Sequence, residues 1–268
     1  DATLDIVRSF GIDCCVLPGF TLGQLRNEGV QRANASVIGF IDSDCEVGAD
    51  WISSVLKHFR DEKVAIAGCM YQLPAQASFL ERHWIGEPCD DIAEHRLIPA
   101  GNMAVSKKIF TEIGGFDEKL ISGEDVYLLT RARAHGYRTI YDSAIRNIHY
   151  GNPKTLADLY RKEIWYGIRG DSVIQRVRAF DKAFIVAHLV LLFLVVFVGG
   201  LISLSWRAAL AAWLMSCTLA VACALDRRYN KQFKGNLLYM TWIYGVYLLA
   251  RMHSLLYVYG LKRYVYMK

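Results

Sequence analysis

Val37-Ile38-Gly39-Phe40-Ile41-Asp42-Ser43-Asp44 sets an unbroken apolar run of strand length directly before two carboxylates one residue apart. An uninterrupted run, rather than an alternating one, is what a strand buried on both faces requires. Upstream, residues 22–35 carry Leu22, Leu25, Val30 and Ala33 toward one side and read as a helix feeding that strand. Downstream, Asp50 stands where a helix cap belongs, ahead of Trp51, Ile52, Val55, Leu56 and Phe59 at helical spacing. Residues 64–68 are the next apolar strand. Helices alternating with short apolar strands predict an α/β domain with a mostly parallel, Rossmann-like sheet and helices on both faces.

Further out, residues 1–10 read as a helix capped by Asp1 and ended by Gly11. A doubly wound domain opens on a strand, so the chain reads as a fragment whose leading strand comes earlier. Ser106 stands as the cap of a short helix to Ile113, stopped by Gly114 and Gly115. A longer helix is predicted from about Glu124 to His135, and residues 138–141 and 144–149 each have strand character.

The chain has 268 residues, 53% of them hydrophobic, and a formal net charge of +5. The apolar excess is concentrated in residues 183–260. Predicted domains are therefore an α/β unit over 1–153, a basic amphipathic juxtamembrane region over 154–182, and membrane helices over about 183–204, 208–225 and 235–260. Arg251 and His253 interrupt the third run and leave it open between a span, an interfacial helix and a re-entrant piece. Lys154, Arg161, Lys162, Arg169, Arg176, Arg178 and Lys182 precede the first span, as suits anionic headgroups, although a solvated basic helix face reads the same way. The loop 226–234 carries four positive charges, which by the positive-inside tendency puts it and residues 1–180 in the cytoplasm; Lys262, Arg263 and Lys268 in the tail weaken that scheme if the third run spans. No basic–aromatic module points to nucleic acid. Seven cysteines without paired spacing read as buried free thiols in a reducing compartment.

Asp42 and Asp44 at a strand end face the crevice where open sheets bind ligands, and offer oxygens to a hard divalent cation that bridges phosphates. Alone, the pair reads equally as a polar turn. Its context is more specific: Arg26-Asn27-x-Gly29, Ala33-Asn34, Gly39 to Cys45, and Trp51-Ile52 stand in fixed order around it. Gly101-Asn102 to Ser106, Ile113-Gly-Gly-Phe-Asp117, Gly123-Glu124-Asp125, Arg131 and Gly136-Tyr137 follow. This series resembles the family 2 glycosyltransferases of the GT-A fold across roughly residues 1–170. Residues 1–7 resemble the end of that family's Asp-Asp-Gly-Ser-x-Asp segment.

The resemblance implies roles. Asp44 corresponds to the metal ligand and Asp42 to a contact with the donor or its metal, manganese or magnesium. Asp125 corresponds to the catalytic base of an inverting displacement, with Glu124 as its rival; both also read as acids favoured at a helix start. His149 would complete the metal shell, or serve as a hydrogen-bonded structural residue. Arg26, Asn27 and Asn102 fall on the donor side, against the alternatives of an ion pair for Arg26 and a turn amide for Asn102. Processive relatives carry Gln-x-x-Arg-Trp before their spans, whereas residues 159–167 here do not match it. The expected activity is therefore transfer of one sugar from a nucleotide donor, commonly a UDP-sugar, to a lipid-linked or glycan acceptor at the membrane. A polyprenyl-phosphate sugar synthase and a non-catalytic membrane scaffold are the alternatives.

Overall fold

The computed structural model describes residues 2–85, 90–94, 96–169, 173–178, 181–230 and 236–261. Asp1, Cys89, residues 231–235, Lys262, Arg263 and Lys268 lie outside them, and with them the expected Asp1 cap and the basic tail.

Helix α1 (Thr3–Ser9) forms as predicted but buries none of its residues. Helix α2 (Leu22–Arg32) starts at a reciprocal cap, in which the Thr21 hydroxyl accepts from the Gln24 amide and the Gln24 side chain accepts from Thr21. It leads into β1 (Val37–Ile41), then β2 (Cys45–Val47) and α3 (Trp51–Leu56). Asp50 and Ser106 sit at the predicted cap positions but make no capping hydrogen bond from their side chains. Of the predicted apolar stripe on α3, Trp51 and Val55 are buried while Ile52 and Leu56 are exposed, because a six-residue helix packs along one edge only.

Next come β3 (Val64–Gly68), α4 (Phe79–Trp84), β4 (Ile92–Glu94) and β5 (Asn102–Ser106), followed by α5 (Lys107–Glu112). Helix α6 (Glu124–Ala134), β6 (Arg138–Asp142) and β7 (Asn147–His149) complete the α/β unit. Both candidate strands after α6 are strands. The main sheet has the order β1-β5-β3-β6-β4 and is mixed. β5 lies antiparallel to both β1 and β3, β6 is parallel to β3, and β4 is antiparallel to β6. So β1, β3 and β6 share one direction, as an α/β reading expects, yet β5 is inserted between the first two. That insertion, which local periodicity does not encode, makes the sheet mixed rather than mostly parallel.

The central strands are buried almost throughout. Their core includes Ile66, Met103, Val105, Ile140 and Tyr141, covered by Trp51 and Val55, Ile109 and Phe110, and Leu128 and Leu129 from the helices. Phe40, Phe110 and Phe116 interlock with centroids 5.4–6.1 Å apart. Among the described cysteines only Cys69 is buried; Cys14, Cys15 and Cys217 are exposed, which corrects the expectation of buried thiols. The run around Cys14 forms no strand and has no sheet to enter.

Beyond the sheet, α7 (Leu156–Ile168) and α8 (Val173–Arg178) precede α9 (Lys182–Ile202), α10 (Trp206–Asn230) and α11 (Leu237–Val258). Helices α9 and α10 are long and apolar enough to cross a membrane. Helix α10 runs past the predicted end, and there Arg227 donates to the carbonyls of Trp84 and Ile85 and lies over the Trp84 ring. Helix α11 packs along α7, burying Leu159 against Ile243 and Ile164 with Ile168 against Ala250. The polar interruptions of α11 face that contact. Arg251 pairs with buried Glu163 at 2.7 Å, and His253 Nδ1 lies 2.8 Å from the Tyr160 hydroxyl. The basic stretch does not form one solvated face either: Arg176 is buried, donating to the Gly167 and Ile168 carbonyls, and Arg169 pairs with Asp181.

Candidate active site

Asp42 and Asp44 follow β1 at the carboxyl ends of β1 and β3, the rim where open α/β sheets bind ligands. A turn, closed by the Cys45 amide donating to the Asp42 carbonyl, sends the two carboxylates different ways. Asp42 accepts from Arg26 at 3.0 Å and from the Tyr71 hydroxyl at 3.4 Å. Asp44 instead faces His149, with Oδ2 3.4 Å from Nε2. The second sheet accounts for that meeting: β2 pairs antiparallel with β7, so Cys45 stands opposite His149.

The His149 ring is held from behind. Asn152 Nδ2 donates to the His149 carbonyl, which leaves Asn152 Oδ1 to accept from Nδ1 at 2.8 Å. In the neutral ring this tautomer points the Nε2 lone pair at the Asp44 carboxylate. A proton on Nε2 or a cation between the two atoms, 3.4 Å apart, would join them. Ligand atoms of Asp44, Cys45 and His149 lie within 4.8 Å of one another. A Cβ on Gly151 would overlap the Asp44 carboxylate and sit 3.4 Å from His149 Nε2, so glycine keeps this cradle clear. Burial, then the charges of Asp44 and Asp42, push the Cys45 thiol up to about 12. Oxygen from Asp44 and nitrogen from His149 are thus the donors suited to manganese or magnesium. Asp42, expected to share the metal, is drawn toward Arg26 and stands outside this group.

Arg26 is the second organising residue. Its guanidinium bridges Asp42 and buried Glu124, the latter at 2.5 Å. Burial works against its charge, but Glu124 and Asp42 together outweigh it and hold its pKa above the usual value. The ion pair, one of its two readings, is present in the structure. Asn27 likewise serves the framework, accepting from the Phe116 amide and donating to the Phe116 carbonyl and Glu118. Asn102 is wholly buried: its amide donates to the Cys69 and Ile145 carbonyls, and its oxygen accepts from Trp51 Nε1 at 2.8 Å. That side chain laces three elements together instead of lining the crevice.

Asp125 differs from its neighbour Glu124. It is half-buried at the start of α6, after Gly123, whose φ of +79° suits glycine. Burial first, then the nearby Glu124 charge, raise its pKa to about 6, against backbone amides of Val126 and Ala100 that favour the carboxylate. A carboxylate with that pKa is mostly ionised at neutral pH yet basic enough to take a proton. Asp125 and the Asp42–Asp44 turn share one crevice: the Ala100 amide reaches Asp125, while the next residue, Gly101, packs so close to Asp42 that a Cβ would overlap its carboxylate.

Three contributors were not legible in the sequence. Tyr71 stacks on His149 with centroids 4.4 Å apart, and burial followed by the Asp42 charge raises its pKa. Lys162 on α7 donates to the Gly151 carbonyl at 3.3 Å; burial lowers its pKa, opposed by Asp44, Glu163 and Asp42. It brings a cation beside the carboxylates. Tyr166, also on α7, has its pKa raised by burial and by Glu163 and Asp125. The basic amphipathic pattern of 154–182 anticipated α7 but not its approach to the carboxylates, and nothing local marked Tyr71.

The family described as Glycosyl transferase family 2 matches residues 1–116. The chain is 27% identical over 168 residues to the pre-mycofactocin glycosyltransferase of Mycobacterium tuberculosis, covering 59% of this chain and 35% of that protein. It is 22% identical over 147 residues to the glycosyltransferase AglE of Haloferax volcanii, covering 53% of this chain and 48% of the relative. The chain thus spans about a third to a half of the length of these curated relatives. Its fold resembles that of the mannosyltransferase PcManGT of Pyrobaculum calidifontis, solved with GDP-Man and Mn2+, with TM-score 0.54 and 16% identity over 98% of this chain and 76% of that one. Residues 1–116, which include the strand-end carboxylates, thus match the family 2 glycosyltransferase model, and the fold is GT-A-like.

Proposed function

We propose that the protein transfers one sugar from a nucleotide-sugar donor to a lipid-linked or membrane-proximal acceptor, with inversion. What carries the reading is a half-buried carboxylate tuned to about 6, Asp125, in the same crevice as the Asp44–His149 pair. Asp125 takes the acceptor hydroxyl proton as that oxygen forms its bond to the sugar's anomeric carbon. The bond from that carbon to the donor phosphate breaks, and the nucleoside diphosphate leaves with the electron pair. Lys162 steadies the diphosphate electrostatically, while Arg26 fixes Asp42 and the start of α6. A divalent cation held by Asp44 and His149 would supply Lewis-acid stabilisation of the leaving group. A UDP-sugar is the donor favoured by the family resemblance; GDP-Man, bound by the mannosyltransferase neighbour, is the other to test.

Helices α9 and α10 serve as membrane spans, with the catalytic unit on the cytoplasmic side, where Arg227 and Arg228 end α10. The test is a donor screen on the full chain in detergent, with a membrane-lipid extract as acceptor and product mass as the readout. Manganese-dependent transfer that is lost in Asp44→Asn is the expected result. Failure to turn over any donor in the screen would remove the transferase reading, and full activity in EDTA would remove the metal.

A further inference from the structure

Helix α11 is covered along one face by α4 and α7. Its first turns meet α4: Tyr239 lies edge-on to Phe79, and Trp84 packs on Tyr244 and Tyr247, with ring centroids 4.8–5.5 Å apart. Its later turns meet α7, where Ile243 lies with Leu159, Ala250 with Ile164 and Ile168, and Arg251 with Glu163. Close approach continues to Ser254, whose hydroxyl a Cβ on Gly167 would overlap. Those neighbours carry charges that face water or the crevice. Arg82 on α4 is exposed, as is Arg161 on α7, and Lys162 reaches the Gly151 carbonyl beside Asp44. A helix held to them from Tyr239 to Ser254 cannot pass through hydrocarbon without taking those charges with it.

The ends of α11 give the same answer. Helices α9 and α10 pack as an antiparallel pair joined by residues 203–205, with Val190 against Ala220, so the start of α9 and the end of α10 lie on one side. Toward its C-terminal end, α11 sets Leu255 against Phe184 and Ala187, in the first two turns of α9. In its N-terminal half, Tyr244 and Tyr247 meet Cys223, and the carbonyl of Trp84 packed on them accepts from Arg227, in the last turns of α10. A crossing helix would carry one of these ends about 30 Å away from the other. The opposite face of α11 is apolar. Leu238, Trp242 and Leu249 are exposed, and Gly245 and Met252 line an apolar cavity with α9 and α10. An exposed tryptophan and tyrosine at the mouth of the spans suit the membrane–water boundary.

We propose that α11 does not cross the membrane but lies at its surface on the catalytic side, with Leu238, Trp242 and Leu249 turned to lipid. The proposal rests on α9 and α10 being spans. It brings Lys262, Arg263 and Lys268, which follow α11, to the side of Arg227 and Arg228, so the positive-inside pattern holds along the chain. Helix α7, which carries Lys162 and Tyr166 to the crevice, thereby rests on a platform fixed to the bilayer, and the crevice is held at the membrane surface.

The test uses the full chain in sealed membrane vesicles of both orientations, a membrane-impermeant maleimide, and mass analysis of the labelled peptides. Exposed Cys14 and Cys15 mark the catalytic side, while Ser205→Cys and Leu261→Cys report the α9–α10 turn and the end of α11. Leu261→Cys is expected to label at least tenfold more in the orientation that labels Cys14, and Ser205→Cys in the other. Leu261→Cys labelling together with Ser205→Cys would overturn the placement and leave the spans standing. Ser205→Cys labelling together with Cys14 would remove the spans, and the placement with them. In the wild-type chain, phosphatidylcholine bearing a diazirine next to its glycerol is expected to label residues 238–249 at least fivefold above α3. Labelling no higher than that of α3 would overturn the lipid-facing surface.

Discussion

Arg26 donates to Glu124 Oε1 at 2.5 Å, tying the helix before β1 to the first residue of α6. That pair separates the two candidate bases. Glu124 is buried and committed to a guanidinium, whereas Asp125 keeps a half-buried carboxylate whose proton affinity is raised by burial and by Glu124 itself.

Asp125→Asn is expected to lower the transfer rate by about 10²–10⁴-fold, the usual contribution of a positioned base. Glu124→Gln is expected to act through the fold. It leaves Arg26 partly uncompensated in a buried setting, at a cost of about 3 kcal/mol. Product formation and thermal unfolding, measured together, check this pair. Full activity in Asp125→Asn with loss in a well-folded Glu124→Gln would exchange their roles.

The pH profile follows from the same residue. With Asp125 titrating at about 6, kcat/KM should be level above that pH and fall about tenfold per unit below it. Stability runs the other way. The folded pKa is raised above the ordinary 3.8, so this group favours the fold most below that value and loses its contribution as pH rises through about 6. Asp125→Asn should therefore unfold at a higher temperature at pH 7, by an increment of about 1–3 kcal/mol. An unchanged stability–pH curve in that variant would contradict the assigned shift.

Metal affinity should depend on groups behind the ligands as well as on the ligands. Asn152→Ala removes the partner that orients His149 and is expected to weaken manganese binding about 10–100-fold. Gly151→Ala should crowd Asp44 and weaken it as well. Titration of the protein with manganese, followed by electron paramagnetic resonance, reads this without turnover. Wild-type affinity in both variants would move the metal elsewhere.

The Glu163–Arg251 pair joins α7, which carries Lys162 and Tyr166, to α11. Arg251→Met alone strands a buried carboxylate and is expected to cost about 3–5 kcal/mol, whereas the double variant Glu163→Leu/Arg251→Met should recover most of it. Thermal unfolding of the three proteins in detergent gives the cycle. Additive losses would mean that the two side chains are not coupled.

Asn102→Ala is expected to cost about 3 kcal/mol by orphaning buried groups of Trp51, Cys69 and Ile145. The donor KM per folded molecule should stay within about threefold, since two of its hydrogen-bonding groups hold backbone carbonyls and the third holds an indole. A selective rise in donor KM would restore Asn102 to the donor site.

The sequence by itself determined α2, β1, α3, β3, α5, α6, β6 and β7, because apolar period and length are local properties that each segment carries alone, whereas β2 and β5 were not legible in it. It also singled out Asp42, Asp44, Asp125 and His149 as candidates, through the resemblance carried by the motifs around them. What the tertiary structure decided was who faces whom. β5 entering between β1 and β3 mixed the sheet, and the β2–β7 pairing gave Asp44 to His149 while Arg26 took Asp42. Arg251 and His253, which look like flaws in an apolar run, proved to be partners of Glu163 and Tyr160 across a helix contact. Such pairings join residues far apart in sequence, 98 positions in the case of Arg26 and Glu124, and no local pattern encodes a contact at that separation.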